Sequence, residues 1–342
     1  MDESLRLPVR VSDPGEVVAA LPTLLGFVPD ESVVLVALDG GGRVALTVRT
    51  DLPAGPRAVP AARDLAGRVV RAEPASVLLV VVSEAPDDAA ALPGAPGVVV
   101  PGLPHRAVVH HVVLALSGVD VPVCDVLLVR SGRWWSYDCP QPCCAPGAGT
   151  PLPGGVSPVA VAAIAAGVVI APDRAALGAR IAPAPGPDAE VLAAAAGQVA
   201  GPAAGAGPGW AAVTEALELC RPGTTAAVPD PQLAAVLWAL TDLELRDRAL
   251  GFALGADAPA AEVLWTECTR RAPSPLDAAP AALLAVSAWL RGDGAMANLA
   301  LERALTSSPG YRLAVLLAGA LDGCLPPAAL RAVIADLVAE TG

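Results

Sequence analysis

The stretch GRWWSYDCPQPCC, Gly132 to Cys144, gathers three of the seven cysteines, two of the six tryptophans and one of the two tyrosines into thirteen positions. Cys139, Cys143 and Cys144 form a C-x3-C-C pattern. Thiolates are strong ligands for zinc, but a closed structural site takes four ligands in a tetrahedron, and adjacent cysteines rarely both reach one ion. A zinc site here needs a fourth ligand, with Asp138, Cys124 and the histidines as candidates. A reversible disulfide from Cys139 to Cys143 or Cys144 is the second reading, and structural thiols at a strand end the third. The residues leave all three open, with structural thiols leading.

Just before the cysteines, strand alternation places Trp134 and Ser136 on one face and Arg133, Trp135 and Tyr137 on the other. One face is expected to be core. An aromatic face ending in an arginine also has the chemistry to stack a planar ligand or a partner side chain, although packing is the reading favoured for large aromatics.

A second candidate is PDES, Pro29 to Ser32, between a helix signal and a strand signal. Asp30 and Glu31 offer a carboxylate pair for metal or acid–base work, and Ser32 a hydroxyl. No G-x-S-x-G elbow surrounds the serine, and turn formation by Pro-Asp accounts for the residues more simply. His105, His110 and His111 fall in one predicted helix without the H-E-x-x-H spacing of a zinc protease, and are read as ordinary helix residues. DGGGR, from Asp39, joins two strands and lacks the lysine of a phosphate loop, so it is read as a hairpin turn.

These residues need elements to hold them. DPGEVVAALPTLL is a helix with Asp13 as N-cap, Pro14 at the first position and Glu16 at the capping-box position, and Pro22 is expected to kink or end it. Two β-branched runs around Gly40 to Gly42 form an antiparallel hairpin. Residues 57 to 72 read as a helix. SVLLVVV, from Ser76, is the continuous apolar run of a strand buried on both faces. A helix over 105 to 117 and a second hairpin turning at Ser131-Gly132 follow, with SLRLPVRV as a candidate first strand. The predicted fold class is therefore an α/β N-terminal domain, a mixed sheet with flanking helices over 1–145. Residues 146–228 read as a helical bridge with Pro/Gly/Ala-rich joints, with a helix start at Ser157-Pro158. Residues 229–342 read as an all-α domain of helical hairpins. There AAEVLWTECTRRAPSP and MANLALERALTSSPG superpose with a 36-residue offset, matching Ala261 with Ala297, Trp265 with Leu301 and Cys268 with Ala304. Small residues at those positions and a Gly292-Asp293 turn give this part a tetratricopeptide-like pattern.

Composition narrows the function classes. The net charge is -12 and all 22 basic residues are arginine, without a basic cluster, so nucleic acid is excluded as a partner. Apolar runs are shorter than the ~20 residues a membrane-spanning helix needs. The start of the chain has no signal-peptide pattern, and an odd number of scattered cysteines argues against a secreted disulfide framework. Together these imply a cytoplasmic protein.

Three stretches, LPTLLGFVPDESVVLVAL, GRWWSYDCPQPCCAPGAGTPL and AWLRGDGAMANLALERALTSSPGYRLAVLLAGAL, together resemble the actinobacterial family of uncharacterised proteins known as domain of unknown function 4192. The resemblance implies an actinobacterial cytoplasmic protein and carries no activity or cofactor. The function expected from the residues is a non-enzymatic interaction or regulatory protein, with a protein partner on the helical-repeat surface. The alternative is a metal-dependent or redox-sensing enzyme or sensor using the cysteine cluster, with zinc as the candidate ion.

Overall fold

The computed structural model describes residues 13–91, 99–154, 160–161, 169–183, 206–224 and 227–341. The expected first strand and the helix start at Ser157-Pro158 lie outside these. The chain divides into two compact units, Met1–Arg174 and Ala175–Gly342.

In the first unit, helix α1 (Pro14–Leu25) starts where Asp13 accepts a hydrogen bond from the Gly15 N–H at 2.8 Å. It does not end at Pro22 but runs through it to Gly26, whose φ of 74° supplies the left-handed turn that stops it. Strand β1 (Ser32–Leu38) is buried throughout and pairs antiparallel with β2 (Val44–Asp51). In the connecting turn, the Asp39 carboxylate accepts from the Gly41 and Arg43 N–H groups at 2.8 and 2.9 Å, so DGGGR is a hairpin turn. Helix α2 (Ala58–Val69) leads to the central strand β3 (Ser76–Val82). A small separate ribbon of β4 (Asp88–Ala91) and β5 (Val99–Gly102) intervenes before α3 (Arg106–Ser117) and β6 (Val123–Arg130). β6 turns into β7 (Arg133–Ser136), which pairs with the two-residue β8 (Thr150–Pro151).

The main sheet has the order β2-β1-β3-β6-β7-β8, with only β3 and β6 parallel. That pair needs a crossover, and α3 supplies it, which is the mixed α/β layer expected from the pattern. One face packs Leu35, Leu79 and Leu128 against Leu65 and Val69 of α2 and Val112 and Leu116 of α3. The opposite-parity residues Val34, Leu78 and Val80 are equally buried, so the central strands are covered on both faces.

In the second unit the described helices are α4 (Arg174–Ala179, which straddles the boundary), α5 (Ala206–Leu219), α6 (Asp230–Ala239), α7 (Leu243–Ala249), α8 (Ala258–Arg271), α9 (Ala278–Leu290), α10 (Gly294–Ser307), α11 (Arg312–Asp322) and α12 (Pro327–Thr341). Every residue of α9 is buried, and it packs against both α8 and α10. The α9–α10 turn is made as expected by Gly292 with φ 89° and by Asp293, which accepts from the Met296 N–H at 2.9 Å. The repeat pairs all point inward: Ala261, Ala297, Trp265, Leu301, Cys268 and Ala304 are each at most 2 % exposed. Alanines at these positions let the helix axes approach closely. Among the described residues no helix is long and apolar enough to cross a membrane.

Candidate functional site

The thiol loop grows out of the β6–β7 hairpin. Past β7, the Tyr137 N–H donates to Val126 O at 2.9 Å, which extends the pairing by one residue before the chain turns away. A 3-10 turn, Pro142–Cys144, then folds the chain back. Three bonds pin the return. The Gly149 N–H donates to Cys143 O at 2.9 Å, Arg133 donates to Gly149 O at 2.8 Å, and Trp135 Nε1 donates to Ala145 O at 3.3 Å. Gly149 has φ 75°, and a Cβ there would overlap the Trp135 ring, so glycine is required twice over.

This loop brings Cys139, Cys143 and Cys144 together, with their three sulfurs all within 4.8 Å of one another. Cys143 Sγ and Cys144 Sγ are 3.9 Å apart. Four sulfurs around zinc at ~2.3 Å stand about 3.8 Å apart, whereas a disulfide requires ~2.05 Å. Adjacent cysteines rarely both reach one ion, yet the sulfurs of these two stand at a separation that fits one. Cys144 is buried, Cys139 half-buried and Cys143 exposed. Cys144 Sγ also accepts from the Ser136 N–H at 3.3 Å.

Their electrostatics differ. The Gln141 backbone N–H, followed by weaker hydrogen bonds from the neighbouring thiols, holds Cys139 below the ordinary thiol range. Burial pushes the Cys144 thiol up to about 11. Among the described residues, no further histidine, carboxylate or cysteine joins all three sulfurs at that spacing. Asp138 is exposed, and Cys124 points elsewhere, donating to Val77 O at 3.3 Å. A cleft of about 700 Å³ between α3 and β6–β7 adjoins the loop, lined among others by Arg106, His110, Cys124, Asp125, Tyr137 and Cys139.

The aromatic face of β7 is core. Trp135 is 3 % exposed and Tyr137 6 %, and Tyr137 donates to Pro104 O at 2.6 Å while burial raises its phenol well above the usual range. Their rings are already engaged, Trp135 by Arg130 at 4.9 Å and Tyr137 by Arg106 at 5.6 Å. Arg133 is exposed and spends its guanidinium on the thiol loop. Both rings pack into the α2–α3 core, as in the packing reading favoured over a planar-ligand platform.

The PDES residues separate into two roles. Asp30 accepts from the Glu31 N–H at 3.0 Å, and Ser32, fully buried, donates to Asp30 O and accepts from Arg49 Nε at 2.8 Å. Asp30 and Ser32 therefore make a turn. Glu31 instead reaches across to β3, where both carboxylate oxygens lie 2.9 Å from Ser83 Oγ and one accepts the Glu84 N–H at 2.9 Å. Ser83 Oγ is also 2.9 Å from His105 Nε2. His105 lies outside α3, just before its first residue, with φ 62°, so it is not the helix residue the pattern predicts. His110 and His111 do sit in α3, their rings 6.0 Å apart. Ser83 and His105 were not legible as partners of Glu31. The one available signal was position, since Ser83 follows the carboxyl end of the central strand, where open α/β sheets place ligands.

A family model described as a domain of unknown function (DUF4192) matches residues 14–328. Neither a curated protein nor a solved structure matches the chain.

Proposed function

The chain belongs to the DUF4192 family, and from the thiol geometry we propose that its N-terminal unit carries a metal site of three thiolates, with zinc as the ion, serving a sensing or regulatory role. The observation that carries this is the convergence of Cys139, Cys143 and Cys144 within 4.8 Å. Three protein ligands leave one tetrahedral position for water, a small ligand or a partner's side chain, which is the arrangement of responsive sites and not of closed structural ones. The adjoining cleft gives such a ligand its route, since Cys139 is part of its wall. We place the protein in the cytoplasm of an actinobacterium, where thiols stay reduced and available. Titration of the reduced, metal-free chain with cobalt(II) tests the reading. An intense thiolate-to-metal charge-transfer band saturating at one equivalent supports it, and a spectrum without that band contradicts it.

A second reading concerns the helical unit. We read its helices as a tetratricopeptide-like stack, and Val315 and Leu316 of α11 and Val333 of α12 are 49 %, 61 % and 60 % exposed. A protein partner on this part of the helical unit would cover these exposed apolar side chains. Leu316→Glu is expected to abolish capture of that partner from the native host; capture unchanged by Leu316→Glu counts against this surface.

A further inference from the structure

The Glu31–Ser83–His105 cluster is separate from the thiol loop and joins three segments: the entry to β1, the exit of β3 and the entry to α3. Ser83 Oγ has one proton. A carboxylate only accepts, so the hydroxyl donates to Glu31, and the His105 Nε2 that faces Oγ carries a proton and donates to it. The Ala85 N–H, at 3.1 Å, also points at Oγ. A hydroxyl so held becomes a nucleophile as its proton passes to the carboxylate.

Two further observations go beyond a loop-fastening role. Glu31 and His105 are both held at left-handed φ, 35° and 62°, a region uncommon for residues with a side chain and concentrated at functional sites. The cluster also lies past the carboxyl ends of the parallel pair β3 and β6, and the first turn of α3, whose N–H groups have no partner within the helix, begins immediately after His105. Those N–H groups are the donor type that stabilises a developing oxyanion.

We propose that Ser83, Glu31 and His105 form an acyl-transfer centre for small carboxylic esters. Oγ bonds to the carbonyl carbon while its proton moves to Glu31. The carbon–alkoxide bond then breaks, and the leaving alkoxide takes that proton from Glu31. Water repeats the sequence on the acyl-serine, giving its proton to Glu31, and Oγ recovers it on release of the acid. His105 orients Oγ throughout by its N–H. Ser83 is 1 % exposed while Glu31 is exposed, so the carboxylate is the part of the cluster that meets solvent.

A fluorophosphonate tests this directly, because it bonds phosphorus to an activated serine oxygen with loss of fluoride. Peptide mass mapping of the full chain is expected to place the adduct on Ser83, with labelling about 100-fold slower in Glu31→Gln and absent from the heat-unfolded chain. Should Glu31→Gln not fold, His105→Asn serves in its place, with slower labelling again expected. A native chain without an adduct on Ser83, or one that labels no faster than the unfolded chain or the folded variant, overturns the proposal.

Discussion

Cys139 and Cys144 share one loop and differ in chemistry because one meets backbone and thiol donors while the other is sealed against the β6–β7 hairpin. In the metal-free, reduced chain at neutral pH, iodoacetamide is expected to alkylate Cys139 well before Cys144, since the thiolate is the reactive form and Cys144 is pushed up to about 11. Peptide mapping over time checks the order, and equal rates contradict it. The same difference sets a pH dependence. A metal binds the deprotonated thiol, so occupying Cys144 releases a proton at every pH below about 11. Zinc affinity is therefore expected to rise with pH, by about tenfold per unit or more, and a flat competition titration between pH 6 and 8 (roughly the range where Cys144 stays protonated without metal) contradicts that. At this scale the sequence disclosed the cysteines and the carboxylate of Glu31. It hid Ser83 and His105, because their hydrogen bonds span 52 and 22 residues and no local spacing records them.

Elements decide whether those residues meet. The thiol loop closes only because Gly149 lets the backbone pass the Trp135 ring at positive φ. Gly149→Ala is expected to lower stability by about 1–3 kcal/mol and to weaken metal binding with it, as read by denaturant unfolding and by competition. Unchanged unfolding would show that the loop is not pinned there. In the helical unit, Asp277 precedes α9 and is 1 % exposed, with Arg303 of α10 at 2.8 Å from its Oδ2 and Ser307 donating to its Oδ1. Asp277→Ala strands the half-buried Arg303 and is expected to cost about 3–5 kcal/mol; a loss below ~1 kcal/mol would place the pair among weak surface bridges. Hairpins and caps were readable from the sequence because Asp13, Asp39 and Asp293 act within a few residues of themselves. The loop built on the 3-10 turn at Pro142 was not, since the bonds that fasten it come from Arg133, Trp135 and Gly149 and not from the turn itself.

At the scale of the whole molecule, the order of signals in the sequence, a buried β-branched run between helices and then an Ala-rich helical repeat, foretold the two kinds of architecture. What it left undetermined was chemistry, because composition and periodicity report burial and not convergence. The central claim, that three thiols from one loop hold one ion, is a statement about the intact chain and is measured on it. Native mass spectrometry of the full-length reduced protein, purified without a metal-binding tag and exchanged against zinc, is expected to show one zinc per chain, lost when Cys139 and Cys143 are both changed to Ser. A chain that stays metal-free with all thiols reduced, or one that keeps its zinc in the double variant, contradicts the account.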